Sequence, residues 1–262
     1  MINQQLHRQP VGVDSNVHRK SRLVPLPDWK FSSHLNAIFL TATEFADASR
    51  DMPVVFVNAG KDEKGNPVVA PIAVLGMSQN ENLMVADDGT WRMRYVPAML
   101  RSYPFGTARV DDERFAVVVD ASYSGLQESE GQALFAEDGK PTEFLANIQQ
   151  QLEVLEGETQ RTRVLCDKLV ALDILREMRF DADFPDGRKH TVDGFLAVDQ
   201  GRMQALSDAQ VLDLHKSGVL GLIHAHWISL GNMRHLLDWF VQKHPAAPAA
   251  AASAAPVANG AA

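Results

Sequence analysis

Cysteine is nearly absent from this chain: Cys166 is the single one in 262 residues. No intramolecular disulfide is possible, and a Cys-rich zinc site is excluded. Cys166 lies between Leu165 and Asp167 on an apolar-periodic segment, so it reads as a small buried hydrophobe rather than a nucleophile. Basic charge is also in short supply, with 25 Lys and Arg against 33 Asp and Glu and a formal net charge of −8. A nucleic-acid binder needs a basic footprint to release counterions from phosphate. The short run His18-Arg19-Lys20, with Arg22, reads as solvated chain. Long apolar runs are missing as well. No stretch reaches the roughly 18 consecutive apolar residues that span a bilayer. The best candidate, Val219 to Leu230, is interrupted by Gly221, His224 and His226. The N-terminus is polar, without the apolar segment of a Sec signal. The expectation is a cytoplasmic protein with no integral membrane segment and no nucleic-acid partner, with export by a signal-less route left open. The phosphate-loop, dinucleotide and nucleophile-elbow glycine patterns are absent too, so neither a catalytic centre nor a cofactor is expected.

What is present organises into three parts. Residues 1–21 read as a flexible leader and 22–243 as one folded domain. Residues 244–262 read as a disordered Ala/Pro-rich tail, because such a composition has too little large apolar surface to offset its ordering entropy. Within the domain the first half is strand-rich. Leu35 to Thr41 reads as a strand, and Thr43 as the cap of a short helix from Glu44 to Arg50. Pro53 to Val57 and Val68 to Leu75 flank the turn at Lys61–Pro67 as a hairpin. Leu83 to Val85, Asp87-Asp88-Gly89 and Trp91 to Tyr95 suggest a second hairpin. Val96 to Tyr103 reads as a helix with Pro97 in its first turn, ended by Pro104. Phe115 to Val119 is apolar on both faces and so belongs in the middle of a sheet.

Phe144, Ile148, Leu152 and Leu155 then set a helical stripe that Leu165, Leu169 and Leu172 resume. The stripe predicts one helix from Thr142 to Met178, or two broken near Gly157. Phe180 to Phe184 and His190 to Val198 form a hairpin around Pro185-Asp186-Gly187. Ser207 caps a helix that Gly218 ends. A last helix covers Val219 to Lys243, with a break expected near Gly231-Asn232. The order of strands, long helix, hairpin and terminal helices is α+β. Leu83 to Gly89 and Leu134 to Gly139 echo each other as apolar runs ending in acid-acid-Gly, which reuse of one turn type explains without gene duplication.

Two constellations carry candidate chemistry. His215, His224, His226 and His235 invite a metal reading. The pairs that would share a helical face are roughly 16 Å apart, too far to share an ion. His224 and His226 reach one face only if the segment is a strand. Satisfied histidines on a helix-packing surface are the favoured reading. Asp87, Asp88 and Glu81 lack the further oxygens of a calcium loop, and Asp120, at a strand end, lacks a positioned base. The second constellation is Trp91, Arg92, Arg94, Tyr95, Arg101, Tyr103 and Phe105. Aromatics interleaved with arginines suit a protein or peptide interface. They equally suit core aromatics beside arginines that pair with the surplus acids. Trp91, Arg94, Tyr95, Arg101 and Tyr103 are the candidate binding surface.

These residues carry a resemblance. Glu81-Asn82-Leu83, Asp88-Gly89-x-Trp91, the block Tyr95-Val96-Pro97-Ala98 through Tyr103-Pro104-Phe105, Gly131 to Gly139, Asp193-Gly194-Phe195, and Ala225-His226 through Asn232 are similar to the SapC family. Met84 departs from it, where an aromatic is expected. The resemblance implies a bacterial protein of the cytoplasm or envelope, linked to surface-layer (S-layer) biology. It also implies an accessory role beside TonB-dependent receptors, tryptophan-halogenase-like flavoproteins and cupin-type oxygenases, and it supplies no catalytic residues. The expectation is therefore a non-enzymatic binding or accessory protein whose partner is another protein or a peptide. The alternative is a metal-dependent or oxygenase-associated enzyme acting on peptides or amino acids, centred on His224 and His226.

Overall fold

The computed structural model describes residues 2–111, 114–184 and 188–245. Along the chain come β1 (Pro10–Gly12), β2 (Arg22–Leu23), β3 (Ala37–Phe39), the single-turn α1 (Phe45–Ala48), and the hairpin β4 (Val54–Lys61) and β5 (Pro67–Val74). After the block around Trp91 follow α2 (Ala98–Ser102), β6 (Phe105–Arg109), β7 (Phe115–Asp120), β8 (Leu126–Gln127) and β9 (Gln132–Ala133). The long α3 (Glu143–Ala171) leads to the hairpin β10 (Leu175–Asp183) and β11 (Lys189–Val198). Four helices close the fold: α4 (Gln200–Gln204), α5 (Asp208–Lys216), α6 (Val219–Ser229) and α7 (Met233–Lys243).

The described strands form a five-stranded antiparallel sheet in the order β10-β11-β4-β5-β3 and two three-stranded sheets, β1-β7-β6 and β8-β2-β9. The architecture is α+β. β7 is central in its sheet, as its two apolar faces require. Buried side chains gather in two clusters. The larger one packs one face of the five-stranded sheet against α1, the end of α3 and the C-terminal helices, around Phe45, Phe56, Ile223 and Leu236. The smaller one joins Leu23, Phe105, Val119, Leu134, Leu145 and Leu152. α3 is 29 residues long, so it reaches about 43 Å, and it serves both clusters, with Leu145 and Leu152 in one and Cys166 and Leu169 in the other. The Trp91–Phe105 block does the same: Met99, Leu100 and Tyr103 belong to the larger cluster and Phe105 to the smaller.

Several expectations need correction. The long helix runs unbroken through Gly157 but stops at Ala171, not Met178. Asp173 adopts φ 50°, a left-handed geometry that Asp tolerates and a helix does not continue. The leucine stripe misled because Leu172 caps the helix and Leu175 already opens a strand. The cap of the short helix is Thr41, not Thr43, and an initial 3-10 turn over Ala42–Glu44 precedes it. Asp87-Asp88-Gly89 does turn the chain, but the flanking residues meet only at the bridge Val85↔Trp91. The echo at residues 134–139 makes the same turn: Gly89 N–H donates to Ala86 O and Gly139 N–H to Ala136 O, both at 2.9 Å. Their φ values of 92° and 86° explain the repeated glycine.

Described residues of the segment 1–21, which reads as a flexible leader in the sequence, contact the body of the fold. β1 pairs with β7, Leu6 is buried, and His7 Nε2 lies 3.1 Å from Phe105 O. The turn Pro185-Asp186-Gly187 and residues 246–262 of the tail lie outside the described residues.

The joint between the two hairpins of the large sheet is unusual. β11 and β4 pair at Leu196↔Phe56. Two residues further along each strand, the His226 side chain of α6 stands between them. Its Nδ1 donates to Val54 O at 2.7 Å, and its Nε2 accepts from Val198 N at 3.1 Å. Ser229 Oγ accepts from Val54 N at 2.9 Å. Helix side chains thus replace a rung of the ladder and pair Val54 N, Val54 O and Val198 N.

Gly157 sits exposed in the interior of α3, and an added Cβ would meet nothing within 4 Å. Gly157→Ala should stabilise the protein by about 0.5–1 kcal/mol through the unfolded chain. Urea unfolding checks this, and a destabilised variant would show that the helix bends or opens at that position.

Candidate functional site

The candidate surface is built on two buried acids that sequence reasoning overlooked. Glu44, 6% exposed, ends the 3-10 turn after Thr41. Its Oε2 accepts from Thr41 N at 2.7 Å and from Thr41 Oγ1 at 2.9 Å. Its Oε1 accepts from the Tyr95 hydroxyl at 2.8 Å and from Ala98 N at 2.7 Å. Asp51 Oδ2 accepts from Arg94 N at 3.0 Å and from Tyr95 N at 2.7 Å. Between them the two carboxylates satisfy three backbone N–H groups of residues 94–98, a stretch with no ladder of its own. Bonds from N–H to carboxylate are charge-assisted and stronger than neutral ones. α3 adds Thr162, whose Oγ1 accepts from Ala42 N at 2.8 Å and so fills an orphan donor at the start of the turn. The Thr41-x-x-Glu44 capping box was the one sequence signal for Glu44; nothing in the sequence announced Asp51.

This scaffold opens into a groove of about 720 Å³ between the 3-10 turn with α1, α2 and the middle of α3. Tyr95, Arg101, Thr43, Asp47, Gln150 and Val154 are among its lining residues. The Arg101 guanidinium lies 5.8 Å from the centre of the Tyr95 ring, a cation–π distance. Burial, then the neighbouring Glu44 carboxylate, push the Tyr95 phenol above its ordinary pKa, so it remains a donor.

The five candidate residues separate. Tyr95 and Arg101 line the groove. Trp91 is half-buried, donates Nε1–H to Tyr95 O at 2.7 Å and packs on Trp29, so it braces the block from behind. Arg94 is exposed and lies outside the groove lining. Tyr103 is a core residue. Its ring stacks on Phe31 at 4.6 Å, and its hydroxyl donates to Asp120 Oδ2 at 2.9 Å.

Asp120, fully buried, also accepts from the backbone of Gln9 at 2.9 Å and from the Ser122 hydroxyl at 2.8 Å. Burial pushes its carboxyl up, but the Gln9 and Ser122 hydrogen bonds outweigh it and hold the pKa below the usual value. Asp120 is a clamp on the N-terminal segment. Asp88 closes its own turn by accepting from Thr90 N at 2.9 Å, while Glu81 lies elsewhere, 2.7 Å from His244. The three acids 81, 87 and 88 make no shared cation cage.

The histidine pair separates in the same way. His226 has no free nitrogen lone pair, since one ring nitrogen donates to Val54 and the other accepts from Val198. His224 is exposed and packs beside Trp227 at 5.7 Å. Among the described residues no group of three or more His, Cys, Asp or Glu side chains is arranged to hold a metal ion. Cys166 is buried and its thiol is pushed up to about 12 by burial and then by Asp167, so it stays protonated.

Burial lowers the His226 pKa to about 4. The unfolded imidazole titrates near its ordinary value of about 6.5, so between those values the unfolded chain binds the extra proton. Stability should be undiminished above about pH 6.5 and fall as the pH drops toward 4, by up to about 3 kcal/mol. Urea midpoints across this window check it. His226→Gln should flatten that part of the profile, and an unchanged slope would show that His226 is not the titrating group.

Comparison with known proteins places this geometry in context. A family model described as SapC matches residues 13–236. No curated protein and no solved structure matches the chain.

Proposed function

Since the chain belongs to the SapC family, with the match covering most of its length, we propose that it is a non-enzymatic binding or accessory protein of bacterial surface-layer or TonB-dependent outer-membrane uptake systems. The observation that carries the reading is the Tyr95–Arg101 pair at the groove. Arg101 is exposed and has no carboxylate partner among the described residues, so its guanidinium is available to an incoming carboxylate. Exposed Gln150 and Gln151 offer amide donors and acceptors along one wall, and Val154 offers apolar surface. That mixture suits a peptide or protein segment bearing an acidic residue.

Several buried groups that could have supplied chemistry are occupied. Glu44, Asp120 and His226 are engaged by backbone groups, and Cys166 is held as a thiol. Binding is therefore favoured over catalysis. The expected location is the cytoplasm or, after export by a signal-less route, the envelope. No helix among the described residues is long and apolar enough to cross a membrane.

The test is recovery of partners from an extract of a bacterium that carries the protein, with the folded state checked by circular dichroism. Arg101→Ala should reduce recovery of specific partners by about tenfold, the worth of one exposed charge-assisted contact. Arg94→Ala should leave it unchanged. Equal effects of the two substitutions, or none from either, would remove the groove from the account.

A further inference from the structure

The five-stranded sheet is incomplete along one seam. β11 pairs with β10 over most of its length from Lys189 to Val198, but among the described residues it meets β4 only at Leu196↔Phe56. On one side of that bridge His226 occupies the place of the ladder. On the other side, from Phe195 back to Lys189, the edge of β11 facing β4 meets no strand among the described residues. The described residues nearest the turn are nonetheless held. His190 Nε2 donates to Met77 O at 2.7 Å, Phe184 stacks on Phe240 at 6.1 Å, and Arg188 Nη1 donates to His244 O at 2.9 Å. β11 thus arches between two anchors with an unpaired backbone edge between them.

Cavities open on both sides of this arch. One, of about 470 Å³, has Val55, Val57, Ile72 and Val74 of the β4–β5 hairpin as its floor. The other, of about 550 Å³, is bordered by Asn58, Glu177, Met178 and Arg179. Both share Asp193, Gly194 and Phe195. Gly194 leaves the backbone bare, since an added Cβ would meet nothing within 4 Å. Arg179 is already paired with Asp181 at 2.8 Å, whereas exposed Glu177 and Asp193 have no ion-pair partner among the described residues.

We propose that the arch is a second binding site, separate from the Tyr95–Arg101 groove, which takes an extended segment of a partner protein by strand pairing. Main-chain hydrogen bonds to the free edge of β11 supply attraction without regard to sequence. Side chains of an extended segment alternate between two faces. Half-buried Val57 and Ile72 accept apolar side chains on one face; Glu177 on the other face, and Asp193, which borders both cavities, select Lys or Arg. The occupant is a segment of alternating apolar and basic residues. Between the anchors His190 and Leu196 the strand offers about 20 Å, room for roughly six residues.

The probe is the labelled hexapeptide acetyl-Val-Lys-Val-Lys-Val-Lys-amide, titrated by fluorescence anisotropy against the full chain. Saturable binding is expected. N-methylation of one of the two alternate sets of peptide amides should weaken it by about tenfold or more, because the pairing bonds are lost. The Glu177→Lys/Asp193→Lys variant, altered only at exposed positions, should lose the Val-Lys peptide to a similar extent and bind the corresponding Val-Glu peptide better than the parent does. Arg101→Ala should leave this binding unchanged. Absence of saturable binding, equal binding of a Val-Val-Val-Lys-Lys-Lys block peptide, or indifference to both N-methylated sets would overturn the proposal.

Discussion

The fold depends on three buried carboxylates held by backbone and hydroxyl donors rather than by cations. Glu44, Asp51 and Asp120 all lie in the interior, and each meets backbone N–H groups, hydroxyls or both. An unpaired buried charge is expensive, so these acids are tolerable only where several donors converge. That requirement fixes the chain around them. Glu44 and Asp51 draw in residues 94–98, and Asp120 draws in Gln9 from the N-terminal segment and Tyr103 from the end of α2. Losing one acid would leave several donors unsatisfied at once, so each couples distant parts of the chain.

The Trp91–Phe105 block gains its shape from this arrangement. It has little regular structure of its own: the five residues of α2 lie between the Trp91 bridge and the first residue of β6. Its aromatic side chains tie the larger hydrophobic cluster to the smaller one, while its backbone is held by acids from neighbouring segments. Tyr95 and Arg101 are left facing a groove on a frame that packing and hydrogen bonds hold from behind. Rigid presentation lowers the ordering cost of binding, so the proposed recognition surface needs no ladder of its own. His226 illustrates the same economy in the large sheet, where one neutral imidazole joins two strands that do not pair at that point.

The sequence disclosed the elements whose signals are local. The β4–β5 hairpin, the Pro104 end of α2, the Ser207 cap and the break near Gly231 follow from turn and cap chemistry and are present, although α2 starts only at Ala98, with Pro97 as its cap rather than in its first turn. The end of α3 was misread because a hydrophobic stripe does not record the left-handed turn at Asp173. The contacts of the N-terminal segment were hidden because they depend on Asp120, more than a hundred residues away. The candidate site was legible in part. Residue types nominated Tyr95 and Arg101, which line the groove, but could not separate them from Tyr103, a core residue of the same chemistry. Gln150 and Gln151 carried no signal, since exposed glutamines on a helix look the same whether or not a groove runs beside them.

The central claim is that Glu44 and Asp51 lock the block that presents the groove. Amide hydrogen exchange of the native protein tests it most directly. The amides of Arg94, Tyr95 and Ala98 should be protected although they lie outside any strand. Glu44→Gln should selectively raise exchange at Ala98 and Thr41, and Asp51→Asn at Arg94 and Tyr95. Rapid exchange of these amides in the parent protein, or no site-selective change in either variant, would contradict the account.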